Sequence, residues 1–266
     1  MARIITITSG KGGVGKTTTT ANLGTALAMQ GAKVAVIDAD IGLRNLDVVM
    51  GLENRIVYDL VDVVEGRARL RQALIKDKRL PELCLLPAAQ TRDKDAVSAD
   101  QMIDLTNQLR GEFDYVLIDS PAGIEGGFRN AIAGADEVLI VTTPEVSAVR
   151  DADRIVGLVE AAEKGPPSLI VNRIKPRLVN RGEMLSVEDV LELLAINLMG
   201  IVPDDESIVT STNRGEAVVY DQNSLAGKAF LNVARRVAGE DVPFMTLSDQ
   251  QGVLERLFGL FGRRRV

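Results

Sequence analysis

A doubly wound α/β sheet of mostly parallel strands, with helices on both faces, is the fold this sequence predicts. Three observations predict it. Apolar runs of three to five residues recur along the chain, helical stretches alternate with them, and a glycine-rich turn joins the first strand to the first helix. The runs are apolar throughout rather than alternating, as suits strands of a parallel sheet buried on both faces.

In chain order, Ile4 to Thr8 is a β-branched run that ends in the glycine-rich turn, and Thr18 to Gln30 reads as a helix stopped by Gly31. Further strands are expected at Val34 to Ile37, Leu83 to Leu86, Val116 to Ile118, Val138 to Val141, Leu169 to Val171 and Leu198 to Val202. Helices are expected at Ala99 to Leu109, Asp151 to Ala162, Val187 to Leu194 and Leu225 to Ala238. From Glu240 to Asp249 the pattern breaks, with Pro243 among polar residues, before a last segment from Gly252 to Val266. The expected division is a nucleotide-binding domain over 1–239, a linker over 240–251 and an amphipathic tail over 252–266.

With 266 residues the chain is long enough for a sizeable core, and a net charge of -6 argues against a broadly basic nucleic-acid surface. The absence of histidine excludes imidazole bases and His-ligated metals, so hydrolytic chemistry has to use carboxylates, lysine, hydroxyls and a bound Mg²⁺. Cys84 is the single cysteine and has no intrachain partner for a disulfide. No secretory signal opens the chain, and no apolar run approaches the roughly 18 to 20 residues of a membrane span. A cytoplasmic location is expected, with any membrane contact peripheral.

Gly10-Lys11-Gly12-Gly13-Val14-Gly15-Lys16-Thr17, followed by Thr18, satisfies the GxxxxGK[ST] pattern between a strand and a helix. Glycines let backbone N–H groups turn toward phosphate oxygens, and the helix N-terminus adds its positive dipole end. Lys16 is expected on the β and γ phosphates and the Thr17 hydroxyl on Mg²⁺. Lys11, a second lysine in the loop, fits a solvated side chain equally well on pattern alone.

Asp38 and Asp40 follow the second strand, at the edge of the sheet where they can orient water or support Mg²⁺; a solvated acidic turn is the alternative. Asp119 ends the run Tyr115-Val-Leu-Ile-Asp119, as a Walker B carboxylate does; a strand-end Asp capping a turn is the alternative. Asn172 ends a later strand, where its amide suits either adenine or a turn.

The terminal segment carries Leu254, Leu257, Phe258 and Phe261 on one helical face, with Arg256 and Arg263 to Arg265 nearby. Such a helix fits an anionic membrane surface, or else packs on the protein's own core. Gly259 and Gly262 weaken it as a free-standing helix by roughly 0.5 to 1 kcal/mol each.

The loop with its early lysine resembles the deviant Walker A motif of the MinD/ParA family of P-loop ATPases. The resemblance extends through Asp40-Ile-Gly-Leu-Arg-Asn-Leu-Asp47, Asp119-Ser-Pro-Ala-Gly-Ile-Glu125, Pro144 to Arg154 and the Leu-Phe tail, and is closest to the family's division-site branch. It implies that Lys11 reaches across an ATP-bound homodimer to the partner's nucleotide. Asp40 then positions the attacking water, Asp38 and Asp119 stand near the metal, and Asn172 and Pro203 line the base. It further implies ATP hydrolysis with Mg²⁺ on the inner face of the cell membrane, recruitment of the division inhibitor MinC, and release by MinE or another topological factor. A flagellar-number regulator of the same family and a ParA-type DNA partitioner are the alternatives. DNA binding is disfavoured by the acidic balance, and an iron–sulfur carrier by the lone Cys84.

Overall fold

A computed structural model of the chain describes residues 1–93 and 96–247. β1 (Arg3–Thr8) runs through the glycine loop into α1 (Lys16–Met29), and β2 (Val34–Asp38) follows. Three short helices, α2 (Leu46–Val49), α3 (Leu60–Val64) and α4 (Leu70–Ala73), lead to the hairpin of β3 (Ile75–Lys76) and β4 (Leu83–Leu86). Alternation resumes with α5 (Ala99–Leu109), β5 (Tyr115–Asp119), α6 (Gly126–Ala133), β6 (Glu137–Thr142), α7 (Val146–Ala161) and β7 (Ser168–Ile174). The last elements are α8 (Pro176–Asn180), α9 (Val187–Leu194), β8 (Asn197–Pro203), α10 (Ser207–Asn213) and α11 (Leu225–Val237).

The strands form one sheet in the order β3-β4-β2-β5-β1-β6-β7-β8. Every pair is parallel except β3 with β4. β1 therefore lies inside the sheet between β5 and β6, and its glycine loop opens at the crevice where ligands bind in open α/β sheets.

Period-two alternation divides the core between the faces. Ile5, Ile7, Val36, Leu117 and Ile170 pack beneath α1 and α11 with Leu23, Leu27, Phe230 and Val233. On the other face Ile4, Ile37 and Ile118 meet α3 and α5, while Ile140 and Val171 meet α7 and α9. A fully buried side chain such as Phe128 or Phe230 contributes about 1.5 to 3 kcal/mol.

α1 carries four consecutive threonines, poor helix formers, yet is buried over most of its length. The hydroxyls of Thr20 and Thr25 donate to the carbonyls of Lys16 and Ala21, one turn earlier, and so enter the interior with a partner. Reciprocal capping boxes start α5 at Ser98 with Gln101 and α9 at Ser186 with Asp189.

The expected strands and long helices are present, with shifted ends. α1 begins at Lys16, two residues before the expected start, so the loop lysine belongs to its first turn. α7 begins at Val146 rather than Asp151. Part of the expected linker stays on the fold, because Val242 is buried while Met245 and Leu247 pack on opposite sides of the sheet. Leu254, Leu257, Phe258 and Phe261 lie outside the described residues. Among the described residues no helix is long and apolar enough to cross a membrane.

Candidate functional site

The loop from Gly10 to Lys16 is pinned from three sides. Asn172 Nδ2, from β7, donates to the Val14 carbonyl at 2.8 Å. The Gly123 N–H donates to the Ser9 carbonyl at 3.1 Å, and the Ser9 hydroxyl donates to the Lys11 carbonyl at 2.8 Å. Gly15 has φ 103°, and a Cβ there would overlap Asn172 Nδ2, so both conformation and packing demand glycine. A Cβ on Gly10 would likewise strike the backbone of Asp151 in α7.

Gly15 is also the N-cap of α1, where no side chain caps the helix and no acidic residue lies in the first turn. Uncapped N–H groups, the helix dipole and the Lys16 ammonium, 7% exposed, converge on the same end. Such an end attracts an anion and suits the phosphates of a nucleotide.

Facing it are Asp38 and Asp119, which end neighbouring strands in direct register and are buried. Asp38 Oδ1 accepts the Asp40 N–H at 3.0 Å, and Oδ2 accepts those of Asn45 and Leu46 at 3.2 and 3.1 Å. Asp119 Oδ1 accepts the Thr20 hydroxyl at 3.2 Å. Burial and the neighbouring Asp119 charge push the Asp38 carboxyl well above its ordinary range. Burial pushes Asp119 up too, against the Thr17 hydroxyl bond and the attraction of Lys16.

Two buried carboxylates held side by side near the Thr17 hydroxyl fit a divalent cation brought in with the nucleotide. The sequence places Asp38, Asp40 and Asp119 around one loop. Among the described residues, however, no group of three or more carboxylates or thiols has metal-binding geometry. Asp38 has both oxygens occupied by backbone N–H groups. The cation's ligands would then include the Thr17 hydroxyl, phosphate oxygens and water, with Asp119 beside them and Asp38 adding its charge. Asp40, half-buried at the start of the turn after β2, faces the same pair and adds repulsion to both.

Lys11 points out of its own loop. Its Nζ donates to the Ser147 hydroxyl at 3.2 Å and lies 3.7 Å from Glu145 Oε2, both at the start of α7. The exposed side chains of Leu43, Ile124 and Val146 stand in the segments around this end of the sheet.

The structure brings Asn172 and Pro203 to the ends of the adjacent strands β7 and β8. The Asn172 amide bonds to Val14 and to its own neighbour Arg173 N–H at 2.9 Å, so it braces the loop. One Nδ2 hydrogen and one Oδ1 lone pair are left for a ligand. Beyond Pro203, Asp205 accepts four hydrogen bonds, from Ser207 N and Oγ, Ser224 Oγ and Ala226 N.

The sequence reading passed over Thr20, Glu145, Ser147 and Asp205. Thr20 stands one helical turn after Thr17, a spacing that could have paired the two on Asp119. The other three are found only through contacts between distant segments.

The signature of the CobQ/CobB/MinD/ParA nucleotide binding domain matches residues 5–218. The septum site-determining protein MinD of Synechocystis sp. is 61% identical over 92% of both chains. The MinC:MinD cell division protein complex of Aquifex aeolicus contains a chain 51% identical, superposing with TM-score 0.87 over 93% of this chain and 100% of that one. The septum site-determining protein MinD of Pyrococcus horikoshii, complexed with Mg-ADP, is 31% identical with TM-score 0.80 over 89% of this chain and 96% of its own. With its phosphate loop, its sheet and these similarities in agreement, the chain belongs to the MinD/ParA family of nucleotide-binding P-loop proteins, within its septum site-determining MinD group.

Proposed function

We propose that the chain hydrolyses ATP with Mg²⁺ and acts in septum placement as a dimeric switch on the membrane. The observation that carries this reading is the uncapped first turn of α1, with Lys16 in it, set against two buried carboxylates that repel each other. That arrangement favours a triphosphate and a cation together over either alone.

In this reading the loop N–H groups and Lys16 hold the β and γ phosphates, with Gly10, Gly12, Gly13 and Gly15 keeping the backbone close. The Thr17 hydroxyl holds the metal, supported electrostatically by Asp119 and Asp38, and Thr18 adds to the phosphate end. Mg²⁺ shields the phosphate charge when bound. Asp40 orients the attacking water and accepts its proton on a carboxylate oxygen. Asn172 and Pro203 line the base. Lys11 leaves Ser147 and Glu145 and crosses to the nucleotide of a partner subunit, so that ATP binding and dimerisation become one event.

Leu254, Leu257, Phe258 and Phe261 bind an anionic membrane, each nearby arginine adding about 1 kcal/mol. Two tails on one dimer bind much more strongly than one, through effective concentration. The MinC:MinD complex of Aquifex aeolicus supports a MinC inhibitor as the recruited partner. A MinE activator or another topological factor then speeds hydrolysis and release. The Mg-ADP complex of the Pyrococcus horikoshii protein supports Mg²⁺ as the metal.

Sedimentation with anionic liposomes, in ATP or ADP, tests the reading on the intact chain and on Lys11→Ala. ATP-selective binding that the variant loses is expected. Binding indifferent to nucleotide, or none, sinks the membrane switch.

A further inference from the structure

Arg236, in the last turn of α11, reads from sequence as one of two adjacent surface arginines. Its guanidinium is instead a junction. Nε donates to the Val242 carbonyl at 2.9 Å, one terminal nitrogen to the Met199 carbonyl at 3.0 Å, and the other to the Pro243 carbonyl at 3.0 Å. The Phe244 ring lies under the same guanidinium, 4.1 Å from ring centroid to Cζ.

Met199 belongs to β8, the edge strand of the sheet. One side chain thus ties the last helix, the sheet edge and the chain after Gly239 together. The planar fork can serve three carbonyls at once, which a lysine ammonium on its flexible stem matches poorly. Apolar packing completes the strap, with Val242 buried, Met245 against the core beneath α11 and Leu247 against the core beneath α7 and α9.

We propose that Arg236 is a positioning residue for membrane attachment: it clamps residues 242–244 to the β8 edge, so that the chain is held on the fold through Leu247 rather than only to Gly239. The inference rests on the membrane reading above. From Leu247 the apolar tail at Val253 is six residues away; from Gly239 it is fourteen. Effective concentration falls as about the −3/2 power of tether length, so the clamp strengthens engagement of the second tail roughly three- to fourfold. The strap keeps the tether short without touching lipid or nucleotide.

The test uses the full chain, with ATP and vesicles of phosphatidylglycerol and phosphatidylcholine in equal parts. It compares the natural sequence, Arg236→Ala, and a variant with about eight Gly and Ser residues inserted after Leu247, which lengthens the tether while leaving Arg236 in place. Both variants are expected to lose roughly three- to fourfold in apparent vesicle affinity. ATP affinity should be unchanged in both, and amide protection of 242–247 should fall only in Arg236→Ala.

Equal vesicle binding by all three proteins overturns the inference alone. So does loss in Arg236→Ala with none in the insertion variant, which would mark Arg236 as a purely structural residue, and so does the reverse pattern, which would mean the clamp does not hold. Failure of the natural sequence to bind vesicles overturns the membrane reading, and this inference with it.

Discussion

Two acidic sites stand at the same edge of the sheet and are built on opposite principles. After β2 and β5, Asp38 and Asp119 are buried side by side, and burial raises both carboxyls, with the Asp119 charge adding to the rise of Asp38 and the Asp40 charge to that of Asp119. After β8, Asp205 is also pushed up by burial, but the hydroxyl and N–H donors of Ser207, Ala226 and Ser224 outweigh that and hold it at about 2. Asp205 is half-buried between the exposed Asp204 and Glu206, with four donors joining β8 to the starts of α10 and α11. The first site stores unfavourable charge that a ligand can relieve, while the second is complete without one. Charge that the fold leaves uncompensated marks the place where chemistry is expected.

The largest expected effect lies at the phosphate end. Lys16→Ala removes a buried lysine beside Asp119, so on the proposed reading ATP hydrolysis should fall by about 10² to 10³-fold. Phosphate release at saturating ATP measures it. A rate within tenfold of the original would mean that the helix N-terminus and metal suffice.

Exchanging single aspartates separates the two sites. Asp119→Asn keeps the shape and most hydrogen bonds but removes a charge the fold disfavours. The nucleotide-free protein should therefore gain about 1 kcal/mol at pH 8 while Mg-ATP binding is lost. Asp205→Ala should do the reverse, losing about 1 to 3 kcal/mol of stability as four donors lose their acceptor. Urea unfolding and nucleotide titration on both variants give the comparison. Loss of stability in Asp119→Asn would show that its charge is already compensated without ligand.

A smaller effect follows from pH. Because the folded carboxyls of Asp38 and Asp119 are raised above the ordinary 3.8, the folded state holds more protons than the unfolded chain between that value and neutrality. Stability of the nucleotide-free protein should therefore decline as pH rises from about 4 toward 8, where the two carboxyls give up their protons. Saturating Mg-ATP should flatten that limb. A limb that stays equally steep with nucleotide bound would break the link between stored charge and cation.

The phosphate site was legible because its parts are contiguous. Gly10 to Thr17 form one motif, and Asp38 and Asp119 each close an apolar strand, so local pattern and tertiary position coincide. The strands were legible for the same reason, except β3, whose two residues carry no period. α6 escaped because it opens with Gly126 and Gly127, which read as a turn. The structural site was half hidden: Asp205 draws two donors from Ser207, two residues on, but those of Ser224 and Ala226 are brought to it only by the fold. Arg236 was hidden likewise, since nothing in a helix-ending arginine pair announces that one guanidinium holds three carbonyls.

The smallest expected effect is also the cleanest contrast between the two acidic sites. Asp205 has a folded value of about 2 against an ordinary 3.8, so its stabilisation is fully present above about pH 4 and is lost as pH falls toward 2. The half-buried carboxyl is still reached by solvent, and screening reduces its contribution to about 1 kcal/mol or less. Asp38 and Asp119 have the opposite sign and contribute no loss on that acid limb, because protonation relieves them. An Asp205→Asn variant should therefore unfold in acid with a shallower pH dependence than the natural sequence, while its basic limb stays the same. If the variant changed the basic limb instead, the two sites would be coupled across the sheet through β7, β6 and β1, and the division between stored and satisfied charge would not hold.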